Sequence, residues 1–126
     1  MIFKYKQRWK VGIVRLDSWV FDIENNQRKE VYYWRKHYGL HEWMRDLWEM
    51  KSKNPKNLKE FANAIETKNL EEFHCVYLNL VLEDIEQYEN DIKNVEYDRK
   101  EEDLEFIQKA KKELNNGKEL FYYSQY

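Results

Sequence analysis

The feature that most restricts this chain is its supply of large rings set against its lack of hinges. Six Phe, ten Tyr and five Trp, 17% of the residues, stand beside three glycines and one proline. Each such ring can bury about 150–250 Å2, so a core built from them needs few aliphatic residues. Disordered chains do not carry so many. A length of 126 residues suits one domain, 1–126. A chain of that size buries roughly two-thirds of the surface its unfolded form exposes. With so few glycines, long phosphate-cradling glycine loops are ruled out.

Periodicity places the elements. Residues 2–9 alternate, with Phe3, Tyr5 and Trp9 on one side and Lys4, Lys6 and Arg8 on the other, as in a strand with one wet face. Val11 to Ile23 is a second β-rich stretch, with Gly12 as a turn or bulge and Ser18 as a break. Asn25-Asn26 offers a stop and a helix N-cap. A central helix is expected over about 28–51, because at about 100° per residue two stripes emerge. Tyr33, Leu40, Met44 and Leu47 form one; Val31, Trp34, Tyr38, His41, Arg45 and Trp48 form the other. Gly39 inside it suggests close approach of another backbone. Asn54 and Pro55 open a second helix that buries Leu58, Phe61, Ala62 and Ile65. Residues 70–95 fit a long helix or a strand at 73–79 followed by a helix capped by Asn79, with Ile85, Tyr88 and Ile92 buried. The continuous apolar run favours the strand. Leu104, Ile107, Ala110, Lys111 and Leu114 mark a last helix closed by Asn116-Gly117. Glu119 to Tyr126 reads as a final aromatic strand. The expected fold is α+β: a small antiparallel sheet from the N- and C-terminal strands, with 73–79 as a candidate addition, packed on three to four helices.

Charge narrows the partners. Mean hydropathy is -1.03 and the net charge is -2. Residues 1–60 hold 14 Lys/Arg against 8 Asp/Glu, and residues 61–126 hold 8 against 16. The simplest use of that split is attraction between the halves in the fold. A pI near 6.0 speaks against general DNA binding. No apolar run approaches the roughly 18 residues of a membrane span, and the N-terminus does not read as a signal peptide. One cysteine, Cys75, cannot form an internal disulfide. A cytoplasmic setting is the expectation.

Chemistry-bearing residues are few. His37 and His41 stand one helical turn apart, a spacing that can chelate metal, and His74-Cys75 would complete four ligands. No short Cys or His pair repeats, so core histidines are expected and no metal or cofactor. Cys75 with His41 is the cysteine–histidine pairing to consider for nucleophilic catalysis, but an apolar run keeps a thiol inert. Glu101-Glu102-Asp103 reads as a solvated helix face. The best signal is basic residues interleaved with rings: Lys4, Tyr5, Lys6, Arg8, Trp9 and Lys10, and then Trp34, Arg35, Tyr38, His41 and Arg45. Rings stack on bases and guanidinium groups bind phosphate in a fork. That set suits a nucleotide-like ligand or a single strand of nucleic acid. The competing reading, rings in the core with cations reaching outward, is favoured for Trp34 and Trp43 and left open for Arg35 and Arg45.

The segment Glu30-Val31-Tyr32-Tyr33-Trp34-Arg35-Lys36, followed by Leu40-His41 and Trp43, resembles the signature of a family of small phage-encoded proteins. In that family Tyr-Trp-Arg-Lys precedes an aliphatic–histidine pair and a tryptophan. Tyr97-Asp98 with Leu104 and Ile107, and the ending Phe121-Tyr122-Tyr123-Ser124, resemble its later parts. The N-terminal segment does not match, a Phe- and Gly-rich run before Tyr97-Asp98 is missing, and Tyr126 stands where the family ends in Trp. The resemblance implies a phage origin and no particular reaction. By analogy, small phage proteins often disable a host factor. The expectation is a non-enzymatic, anti-defence binding protein in the host cytoplasm, sequestering a nucleotide-type signal with Trp34, Arg35, His41, Arg45, Tyr122 and Tyr123. An acidic face over 83–105 that mimics nucleic acid against a host protein is the alternative; a small nucleotide-processing enzyme is another. A homo-oligomer stays open.

Overall fold

The computed structural model describes residues 15–53 and 73–126. The strand expected over 2–9, the basic cluster Lys4–Lys10, Gly12 and the helix opened by Asn54-Pro55 lie outside the described residues. The described part is an α+β fold: a four-stranded antiparallel sheet in the order β2-β1-β4-β3 with three helices. Strand β1 is Asp17–Glu24 and β2 is Gln27–Arg35. Helix α1 is Tyr38–Lys53, β3 is Leu78–Leu80, α2 is Leu82–Ile92, α3 is Lys100–Asn115 and β4 is Leu120–Gln125.

The expected helix over 28–51 is corrected at its start. Residues 28–35 are strand, and the helix begins at Tyr38. Asn25 and Asn26 are not its cap. Both have positive φ, 54° and 63°, and they form the two-residue loop between Glu24 and Gln27. That backbone matches the right-handed twist of paired strands, and Asn tolerates it. Four consecutive apolar residues, Val31 to Trp34, match a helix and a strand equally well. The hairpin settles the choice by pairing Tyr32, Tyr33 and Trp34 with β1. Lys36, with φ 56°, then turns the chain out of the strand. His37 caps α1, its Nδ1 accepting the Leu40 backbone N–H at 3.3 Å. Gly39 lies in the helix's first turn rather than its interior. From Leu40 onward the expected stripes hold: Leu40, His41, Met44, Leu47 and Trp48 are buried.

Ser18 does not break β1; it is buried within it. The strand expected at 73–79 is shorter and later, Leu78–Leu80. Asn79 belongs to it and does not cap α2; the Asp84 carboxylate accepts the Val81 N–H at 2.9 Å instead. Ile85, Tyr88 and Ile92 are buried as expected. Helix α3 is rotated relative to the expectation: Asp103, Phe106, Ile107 and Ala110 face inward, and Leu104 is exposed. Its end is a glycine cap. Gly117 has φ 82°, its N–H donates to Leu114 O at 3.1 Å, and the Lys118 N–H donates to Glu113 O at 3.0 Å.

Alternation gives the sheet two faces. Val20, Trp34, Leu78, Leu80, Leu120 and Tyr122 join the helices in one core. Trp19, Phe21, Tyr33, Phe121 and Tyr123 point the other way. The hairpin carries one bulge, on β2: Val31 is an extra residue between Tyr32, which pairs with Val20, and Glu30, which pairs with Phe21.

Candidate functional site

At the open end of the β1–β2 hairpin the chain forms a cleft of about 380 Å3, lined by Arg15, Leu16, Asp17, Tyr33, Arg35 and Lys36. The hairpin register brings these together: Asp17 pairs with Arg35, and the Lys36 N–H donates to Leu16 O at 2.7 Å. Three cations and one carboxylate therefore line the same cleft. Tyr33 OH donates to Asp17 Oδ1 at 2.6 Å, which holds the phenol above its ordinary pKa. Arg15 lies 3.6 Å from Asp17 Oδ2 and is 82% exposed. The rim is braced from α3. Arg99 donates to the Arg35 carbonyl at 2.5 Å while Glu102 holds the same guanidinium at 2.9 Å. This arrangement can bind an anion; it holds no polarised nucleophile.

Behind the cleft lies a buried polar hub. Asp103 is fully buried and accepts four hydrogen bonds. Trp34 Nε1 reaches Oδ1 at 3.0 Å. His37 Nε2 and Tyr88 OH, both at 2.8 Å, and Tyr97 OH at 2.7 Å reach Oδ2. Because His37 Nδ1 accepts the Leu40 N–H, it is Nε2 that donates to Asp103. Burial, and then the Asp103 charge, push the Tyr88 and Tyr97 phenols well above their ordinary values. The expectation that Asp103 belongs to a solvated run is corrected here. Its spacing from Phe106, Ile107 and Ala110 (i, i+3, i+4, i+7) was the available signal.

The six sequence candidates divide between these places. Trp34 is in the core against Asp103. His41 and Tyr122 are also buried: His41 Nδ1 and Tyr122 OH are 2.7 Å apart, and Tyr122 OH meets Ser18 Oγ at 2.9 Å. Burial, with smaller contributions from Arg45 and His74, pushes the His41 imidazole down to about 3, so it is neutral. Arg45 is half-buried beside Glu49 at 3.4 Å. Tyr123 sits on the outer face of the sheet against Trp19. Only Arg35 lines the cleft, and its companions Arg15, Asp17, Tyr33 and Lys36 were not singled out as its ligand-binding partners. Reading the hairpin would have found them, since Arg15 and Lys36 are equidistant from the Asn25-Asn26 turn.

The other constellations fall apart or change character. His37 and His41 bond different partners, and no group of three His, Cys, Asp or Glu among the described residues is placed to hold a metal. Cys75 is exposed rather than sunk in an apolar run; its Sγ lies 3.4 Å from His74 Nε2. Among the described residues, no helix is long and apolar enough to cross a membrane. Compared with known proteins, the chain matches no family model, no curated protein and no solved structure.

Proposed function

We propose that this is a phage-encoded binding protein that acts in the host cytoplasm against a defence system, sequestering a phosphate-bearing, nucleotide-type signal without turning it over. The observation that carries the reading is the cleft. Arg15, Arg35 and Lys36 line it together with one carboxylate, Asp17, and with Tyr33. An anion there would complete the charge balance, and a base would find a ring within reach. The ionisable groups best suited to acid–base work, Asp103 and His37, are buried and hydrogen-bonded to each other. The phage setting rests on the signature around Trp34-Arg35-Lys36.

The mimicry reading has less support. Along α2, α3 and the residue that precedes α3, Glu89 pairs with Lys111, Glu105 with Lys109 and Glu102 with Arg99, so cations stand among the acids there. Calorimetry against a panel of mono-, di- and cyclic nucleotides, with inorganic phosphate as reference, tests the cleft. At least one nucleotide is expected to bind, and Arg35→Ala should weaken it at least tenfold, the loss of one charge-assisted contact of about 1.5–3 kcal/mol. No heat from any nucleotide, with a host protein co-purifying instead, would overturn the reading. A ligand returned hydrolysed would point to a nucleotide-processing enzyme.

A further inference from the structure

We infer that the outer face of the sheet is a stacking platform for single-stranded RNA, continuous with the Arg35 cleft. The inference rests on the cleft reading and extends it from a nucleotide to a strand. Four rings cross the sheet in a row, one from each strand or its immediate edge. Tyr33 on β2 lies 5.5 Å from Trp19 on β1, Trp19 lies 6.1 Å from Tyr123 on β4, and Tyr123 stacks at 4.5 Å on Tyr77, just before β3. Phe121 lies beside the row against Tyr77, and Phe21, 7% exposed, is buried against Trp19 and Tyr123.

The three described helices pack against the other face, where Trp34 meets Phe106 and Tyr122 meets His41. Among the described residues, the ring contacts of the outer row run only within the sheet and its edge. Tyr33 is 39% exposed and Trp19, Tyr77 and Tyr123 are half-buried, so each keeps part of its surface available.

Charge selects the occupant. The row starts at Tyr33, which also lines the cleft, so a phosphate held by Arg15, Arg35 and Lys36 would feed its strand onto the rings. Arg28 stands over Phe21 at 4.7 Å and Tyr123 at 5.6 Å, and donates to Tyr77 OH at 2.8 Å. It supplies a second cation further along the path. Rings on a sheet with flanking cations accept unstacked bases in sequence-tolerant fashion. A duplex hides those base faces. Asp17, at the mouth of the cleft, is an acceptor for a ribose 2′-hydroxyl, which deoxyribose lacks.

The test uses the full chain, fluorescence anisotropy with labelled ten-nucleotide oligouridylate and oligothymidylate, and calorimetry with uridine 5′-monophosphate. The RNA should bind at least tenfold tighter than the mononucleotide and tighter than the DNA. Tyr123→Leu and Tyr77→Leu keep apolar bulk and remove the π-face. Each should weaken RNA about tenfold and leave mononucleotide binding unchanged, with thermal melts confirming the fold. RNA no tighter than the mononucleotide, or unaffected by both variants, overturns the platform while an Arg35-dependent mononucleotide keeps the cleft. Ring-dependent RNA binding without mononucleotide binding keeps the platform and removes the nucleotide reading. Equal binding of the DNA overturns the assignment to RNA.

Discussion

His41 shows how far one residue's behaviour depends on its surroundings. In sequence it is a histidine beside arginines, a candidate for an anion. In the fold it is buried, stacked on Phe73 with ring centroids 5.1 Å apart and bonded to Tyr122. Burial depresses its imidazole from 6.5 to about 3. The unfolded chain therefore takes up a proton on this ring near pH 6.5 and the folded chain does not. Stability is complete above that pH and declines as pH falls toward 3, by roughly 1 kcal/mol per pH unit from this group. Urea unfolding at pH 7, 6 and 5 should show that decline. Ring chemical shifts should report a neutral His41 still at pH 5; titration near 6.5 would refute its burial.

At the scale of elements, turns decided what periodicity left open. The stretch from Val31 to Trp34 reads at either period, and a two-residue turn with φ 54° and 63° made it a strand. Where a terminator was unambiguous, the sequence reading held: Asn116-Gly117 was expected to close the last helix, and Gly117 does so at φ 82°. A Cβ at Gly117 would meet nothing within 4 Å, so only the backbone conformation resists substitution. Gly117→Ala should cost about 1 kcal/mol, the penalty of the left-handed region for a residue with a side chain. A shift in the denaturation midpoint with an unchanged slope would report it. A much larger loss would mean that space at the cap is tighter than it looks.

At the scale of the molecule, Asp103 joins pieces distant in sequence. Trp34 comes from β2, His37 from the cap of α1, Tyr88 from α2 and Tyr97 from the turn before α3. Removing the carboxylate takes an acceptor from three buried donors, Trp34, His37 and Tyr88, and from the half-buried Tyr97. A buried donor left unsatisfied costs about 1–3 kcal/mol. Against a net stability of roughly 5–15 kcal/mol, Asp103→Ala should lose about 4 kcal/mol or more. Asp103→Asn, which keeps the volume and one acceptor, should lose less. Urea denaturation of the two variants measures the gap; equal and small losses would show that the hub is not what ties the helices to the sheet. The same hub backs the cleft, because Arg99, one turn before Asp103, braces the Arg35 carbonyl.

The sequence by itself determined the α+β class, the aromatic core, the C-terminal strand, the end of the last helix and the inward stripes of α1 and α2. Each follows from side-chain size, local periodicity or a residue that tolerates only certain backbone angles, all readable within a dozen positions. Tertiary structure alone decided that Tyr122 is interior, that Asp103 gathers Trp34, His37, Tyr88 and Tyr97 around one carboxylate, and that Arg15, Arg35 and Lys36 line one cleft. Those outcomes depend on register between strands and on the rotation of α3 against the sheet. Both rest on pairing between segments, from Glu24 with Gln27 across the hairpin to Asp17 with Gln125 across the whole chain, and at the long separations no local pattern discriminates one alignment from the next.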